Sequence, residues 1–274
     1  MTNYMNIGNS QSALLWYNIL QKTGEKQQAD FEKTPAVSRA LDAFEDRIDS
    51  IDNVDDLLAD RQVREVILSA YQLEENIDAI GLIKKLLTED PTDKKSVAYR
   101  LTDTRYRKFA TAMQGLADGE DPLSSETLQA ELLEAYKTNE FEKSQEDVNP
   151  AIRQAMYFKR LIGSATSLSQ VMSDATLKEV VRVSGGLPES VDELEYAQQK
   201  TRYASKIDVE KLQDEEYVDT FIKNFLIRTD IATMEAEYAS GTLSPIASLI
   251  GPLSTETATF TPIYLDLTNI NFWA

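Results

Sequence analysis

The sequence predicts an all-α protein: two related multi-helix bundles, an internal repeat, followed by an extended C-terminal arm. Apolar residues recur at three- and four-residue spacing through most of the chain, the period of a helix with one buried face. A capping residue followed by proline, a device that starts helices, stands at Thr34-Pro35 and again at Asn149-Pro150. Caps and apolar positions of the first half fall on those of the second at a constant offset, the mark of a repeated architecture.

The elements follow in order. Leu15, Trp16, Ile19 and Leu20 make one stripe on a first helix. It stops before Thr34-Pro35, because the residue ahead of a proline is pushed out of helical geometry. Thr34 then caps a helix carrying Val37, Leu41, Phe44 and Ile48 on one face. Asp60 caps the next, which turns Val63, Val66, Ile67, Ala70 and Tyr71 inward. Ile80, Ile83, Leu86 and Leu87 form a further set ending at Asp90-Pro91, and Asp103 caps a helix bearing Tyr106, Phe109, Ala110 and Met113. The pattern breaks over residues 115–123 (GLADGEDPL) and resumes with Leu128, Leu132, Leu133 and Tyr136. After Asp214 a long helix runs through Phe221, Phe225 and Leu226 to near Gly241.

With an offset of 114 residues, Phe44 falls on Phe158, Ile48 on Ile162, Asp60 on Asp174, Val63 on Leu177, Val66 on Val180 and Leu73 on Leu187. At 111, Leu101, Asp103 and Tyr106 fall on Leu212, Asp214 and Tyr217. The expected organisation is an N-terminal helix (1–35), a first helical repeat (36–114), a linker and connecting helix (115–149), a diverged second repeat (150–240) and a C-terminal extension (241–274).

Composition narrows the function. The chain has 46 acidic against 28 basic side chains, a formal charge of −18, a field that repels phosphate backbones and anionic membranes. It has no cysteine and no histidine, which removes disulfides, thiol nucleophiles, imidazole triads and the usual zinc ligands. The apolar stretch over residues 13–20 is interrupted by Asn18 and falls well short of a membrane span. Residues 1–11 lack the basic and apolar regions of a secretory signal. The expectation is a protein made in the cytoplasm without a cleaved signal, binding no nucleic acid, entering no membrane, and holding no metal, cofactor or small-molecule ligand.

Candidate sites read blandly. Asp118-Gly119-Glu120-Asp121 lacks the alternating ligands of a calcium loop, with Pro122 at a ligand position, and reads as a solvated turn. Asp55/Asp56 and Glu74/Glu75 are adjacent pairs that diverge by about 100° on a helix, and read as helix-start and surface charges rather than an acid–base pair. Ser184-Gly185-Gly186 reads as a helix end. Arg100, Arg105, Arg107 and Lys108, interleaved with Tyr99, Tyr106 and Phe109, form the one basic cluster; contact with an acidic protein surface suits it better than nucleic acid.

Two runs carry a family resemblance: Val54-Asp55-Asp56-Leu57-Leu58-Ala59-Asp60-Arg61 and Ala70-Tyr71-Gln72-Leu73-Glu74-Glu75. With Ile83-Lys84-Lys85-Leu86-Leu87, Arg100-Leu101-Thr102-Asp103-Thr104-Arg105-Tyr106 and the opening Trp16-Tyr17-Asn18-Ile19-Leu20, the chain resembles a domain-of-unknown-function family of alphaproteobacteria. That family occurs in flagellar gene clusters of Rhodobacter-like and Rhizobium-like bacteria. The resemblance implies a non-enzymatic flagellum-associated structural or assembly protein acting through protein–protein contacts, its partners flagellar components. It implies no catalytic residue. The alternative is a cytosolic adaptor, chaperone or regulator binding another protein. Export by the flagellar type III route would place the protein in the flagellum; otherwise it stays in the cytoplasm.

Residues 255–274 do not match the family pattern. Tyr264, Asp266 and Thr268 alternate with Ile263, Leu265 and Leu267, the two-residue period of an extended segment. Tyr264, Leu265, Phe272 and Trp273 are the candidate partner-binding residues, packing on the chain's own helices or on a neighbour.

Overall fold

The computed structural model describes residues 12–240. The candidate binding residues Tyr264, Leu265, Phe272 and Trp273, and the whole of the expected arm, lie outside the described residues. The chain divides into two compact units, Met1–Thr233 and Met234–Ala274. The helices lie in the first unit, apart from the last turns of the final one.

The fold is all-α. Among the described residues there are thirteen α-helices, short 3₁₀ turns and no strand. They are α1 (Ala13–Phe31), α2 (Pro35–Glu45), α3 (Val54–Ala59), α4 (Arg61–Ala70), α5 (Ile80–Thr88), α6 (Val97–Arg100), α7 (Thr104–Ala112), α8 (Glu126–Glu146), α9 (Pro150–Leu161), α10 (Leu168–Ser173), α11 (Ala175–Ser184), α12 (Tyr196–Ala204) and α13 (Glu215–Ala239).

Local chemistry sets most of the helix starts. The first N–H groups of a helix have no partner within it, and a short side-chain oxygen supplies one. Asp60 accepts from the amides of Gln62 and Val63, Asp103 from Arg105, Asn149 from Ala151, and Asp174 from Leu177. Ser167 and Gln170 form a reciprocal capping box at α10. Thr34 holds the extended cap conformation before Pro35, but its hydroxyl makes no capping bond. Pro35 supplies the preset φ instead, and omits an amide that would have gone unpaired.

Two hydrophobic cores form. The first gathers Phe44, Val63, Ile67, Leu73, Ile83, Phe109 and Met113 from α2 to α7. The second gathers Tyr17 and Leu20 of α1 with Phe158, Val180, Tyr203, Phe221 and Phe225. Helix α8 enters both: Leu132 and Tyr136 lie in the first, Phe141 in the second.

Some element bounds recur at the offset of 114. Helix α3 at 54–59 is matched by α10 at 168–173, and α4 at 61–70 by α11 at 175–184. The turns Ile48–Ser50 and Ile162–Ser164 keep the same spacing. So do two left-handed backbone positions, Gln72 (φ 58°) and Gly186 (φ 66°). Phe44 and Phe158 are both fully buried, each in its own core. Helix α11 ends at Ser184, as the Ser184-Gly185-Gly186 run predicts, and Gly186 takes the left-handed turn.

Candidate functional site

Between the two cores runs a polar seam. Its centre is Glu142 of α8, whose side chain is only 3% exposed. Removing a carboxylate from water costs several kcal/mol unless it is paired and fully hydrogen-bonded. Arg160 of α9 meets that need with a two-pronged contact, Nε to Oε1 at 2.8 Å and Nη2 to Oε2 at 2.7 Å. With its amide oxygen turned to α9, Gln72 also accepts from Arg160, at 3.2 Å from Nη1 and 2.5 Å from Nη2.

The seam continues on both sides. The backbone carbonyl of Gln72 accepts from Nη1 of Arg105 at 2.5 Å, while Nη2 of Arg105 donates to Asp103 at 2.7 Å. Burial works to lower the Arg105 pKa, but the Asp103 carboxylate more than offsets it and the net shift is upward. Tyr157 donates to Asp174 at 2.5 Å, and the other oxygen of Asp174 caps α11. Burial, reinforced by the Asp174 charge, lifts the Tyr157 phenol well above its ordinary range, so it stays protonated. Farther along α8, the fully buried Asn139 donates to Ser69 at 2.9 Å, and Ser69 donates to Glu140 at 2.8 Å. Nε1 of Trp16 donates to Gln145 at 3.1 Å, tying α1 to the same helix.

Several sequence readings change here. Glu74 is not a free surface charge: it is half-buried, 3.8 Å from Lys143 and 3.6 Å from Arg153. Asp55 and Asp56 do sit in the first turn of α3, where the macrodipole favours them. The basic cluster disperses. Arg105 is committed to Asp103, Arg107 lies over the Tyr99 ring at 4.6 Å, and Phe109 is buried in the first core. Asp118, Glu120 and Asp121 are exposed, as the solvated-turn reading requires.

The first helix differs most from its reading. Its apolar stripe divides: Ala13, Tyr17 and Leu20 are buried, whereas Leu15 is 59% and Ile19 37% exposed. Helix position is settled by a contact far along the chain, where Asp230 accepts from Ser12 Oγ and the Ala13 amide, each at 2.6 Å. An acidic group at a helix N-terminus is favoured by both the free amides and the dipole. The exposed residues of α1 include Leu15, Ile19, Lys22, Lys26 and Ala29, at alternating four- and three-residue steps, with Asn18, Gln21, Thr23, Glu25 and Asp30 exposed beside them. Only the alternation was available in the sequence; which side of α1 faced water was not.

A family model described as "Protein of unknown function (DUF1217)" matches residues 70–218. The chain belongs to this family. The DUF1217 match runs through the seam residues from Gln72 to Asp174, while α1 lies ahead of it. No curated protein matches the chain. Among solved structures it is similar to the X-ray structure of protein AGR_C_984 from Agrobacterium tumefaciens. That match has 25% identity and a TM-score of 0.70, and covers 82% of this chain and 96% of that one.

Proposed function

We propose that this chain is a non-enzymatic flagellum-associated protein that acts, in the structure or in its assembly, through protein–protein contacts. The observation that carries a binding role is the outer face of α1, where two large apolar side chains stand in water on a helix pinned along its opposite side. The seam supports the same reading. The Asn139–Ser69 hydrogen bond holds α8 against α4 and the Glu142–Arg160 pair holds it against α9, which suits a rigid scaffold presenting a surface. The flagellar assignment draws on the resemblance of the runs at residues 54–61 and 70–75 to a family found in flagellar gene clusters. No helix among the described residues is long and apolar enough to cross a membrane.

A clean in-frame deletion tests the proposal, with impaired motility or abnormal flagella expected. A deletion strain that swims normally on intact flagella overturns it. Fractionation separates structural from assembly roles. Protein in sheared flagella, lost when the export apparatus is disabled, indicates a structural component; protein confined to the cytoplasm favours an adaptor or chaperone with the same binding face. Residues Tyr264, Leu265, Phe272 and Trp273 are proposed as a second contact, and truncation of residues 255–274 is the matching experiment.

A further inference from the structure

We infer that Gln72 is a strained latch between the two halves of the fold, holding a backbone conformation suited to glycine in order to grip one arginine from each half. The inference needs no partner and stands apart from the flagellar reading. Helix α4 ends in a turn where the Leu73 amide donates to the Leu68 carbonyl at 2.8 Å and the Gln72 amide to that of Ser69 at 2.9 Å. That closure puts the residue after the cap in the left-handed region, where glycine is the usual choice because it has no Cβ to crowd. Helix α11 closes in the same way, with Leu187 donating to Arg182 at 2.9 Å and Gly186 to Val183 at 3.0 Å, and its left-handed residue is glycine. Among the described residues Gln72, at φ 58°, is the one left-handed position that carries a side chain. Holding it there costs energy that a glycine would not spend.

The side chain supplies the reason. Glycine would hold Arg105 equally well, since that bond uses the backbone carbonyl, 2.5 Å from Nη1. What glycine lacks is the amide oxygen that accepts from Arg160, at 3.2 Å from Nη1 and 2.5 Å from Nη2. Arg105 lies on α7 in the first half, and Arg160 on α9 in the second. Gln72 is 7% exposed, so its amide would be stranded away from water without that arginine. The backbone strain is therefore offset by bonds to Arg160 that no glycine could make. Glu142 grips the same guanidinium through Nε and Nη2 and holds it in place for Gln72. Withdrawing Arg160 leaves Gln72 both strained and unpaired, so the turn relaxes and the contact between the halves loosens with it.

Two measurements on the full chain test the latch. In thermal melts, Gln72→Gly should lower the melting temperature of the wild type by about 3 °C, because the bonds to Arg160 are lost. In the Glu142→Leu/Arg160→Met background those bonds are already absent, and the same change should raise the melting temperature by relieving the strain. A wild-type shift that is zero or upward overturns the inference, as does a background shift that is not upward. The second measurement keeps the seam charged. Arg160→Lys retains a cation beside Glu142 but loses the planar fork that reaches Glu142 and Gln72 together. Residue-resolved hydrogen exchange should then show the Gln72 and Leu73 amides exchanging about tenfold faster. The Gly186 and Leu187 amides, which close the matching turn of the other half, should keep their wild-type rates. No acceleration at Gln72 and Leu73, or as much at Gly186 and Leu187, overturns the latch.

Discussion

At the scale of single residues, the seam sets the largest energies. Glu142 is almost wholly withdrawn from water and, among the described residues, Arg160 is the cation that holds it. Arg160→Ala leaves that charge buried without its partner, and a loss of about 3 kcal/mol or more is expected in chemical denaturation. The combined change Glu142→Leu/Arg160→Met should recover much of it, since removing both charges also removes the desolvation penalty. If the double variant is no better than the single one, the seam stabilises by more than pairing. Gly186 is the other exacting residue. Its φ of 66° disfavours any side chain, and a Cβ there would meet the Arg228 guanidinium at 3.1 Å. Gly186→Ala should cost about 1–2 kcal/mol in the same measurement.

At the scale of elements, caps govern. Asp60 ends α3 and starts α4, accepting from the amides of Gln62 and Val63 and pairing with Arg47 at 3.0 Å. Burial acts to raise its pKa, but the Val63 amide, Arg47 and the Gln62 amide outweigh it, and the net shift is downward. A carboxylate with a lowered folded-state pKa contributes stability that is fully present above its unfolded value. That contribution is lost as pH falls through the folded value. Asp60→Asn keeps the cap geometry and removes the charge. The stability gap between wild type and this variant should therefore be open at neutral pH and close in acid, in thermal melts across the two ranges. Asp60→Ala, which removes the cap as well, should cost about 1 kcal/mol even where the charge no longer contributes.

At the scale of the compact unit Met1–Thr233, α8 couples the two cores. Leu132 and Tyr136 are buried in one and Phe141 in the other, and the seam residues Asn139 and Glu142 lie along the same helix. Calorimetry of the intact chain should show the two cores melting in one transition. Thr138→Pro removes a helical hydrogen bond between the two anchor points, at about 3 kcal/mol. It should split the transition into two, each reporting one core. A single transition at lower temperature would mean that coupling passes through α1 or the seam as well.

The helix starts at Asp60, Asp103 and Asn149 were legible because a cap is a contact across two or three residues, and its partners lie side by side in the chain; α6, α10 and α12 were not read. Asp60, Asp103 and Asn149 could each be identified from their immediate neighbours, and Asp174 from its offset to Asp60. The all-α class followed from periodicity for the same local reason. Periodicity states which side chains share a helix face; it does not state which face is covered. For α1 that choice belongs to Asp230, Gln145 and the second core, hundreds or scores of residues away. The pairing of Glu142 with Arg160 was equally silent, because charges on neighbouring helices acquire meaning only once folding removes one of them from water. By itself the sequence determined the all-α class, several of the longer helices with their caps, and the acidic, histidine- and cysteine-free chemistry. Tertiary structure alone decided which charges are buried together and which apolar face of α1 is left in water, since both depend on what the rest of the chain covers.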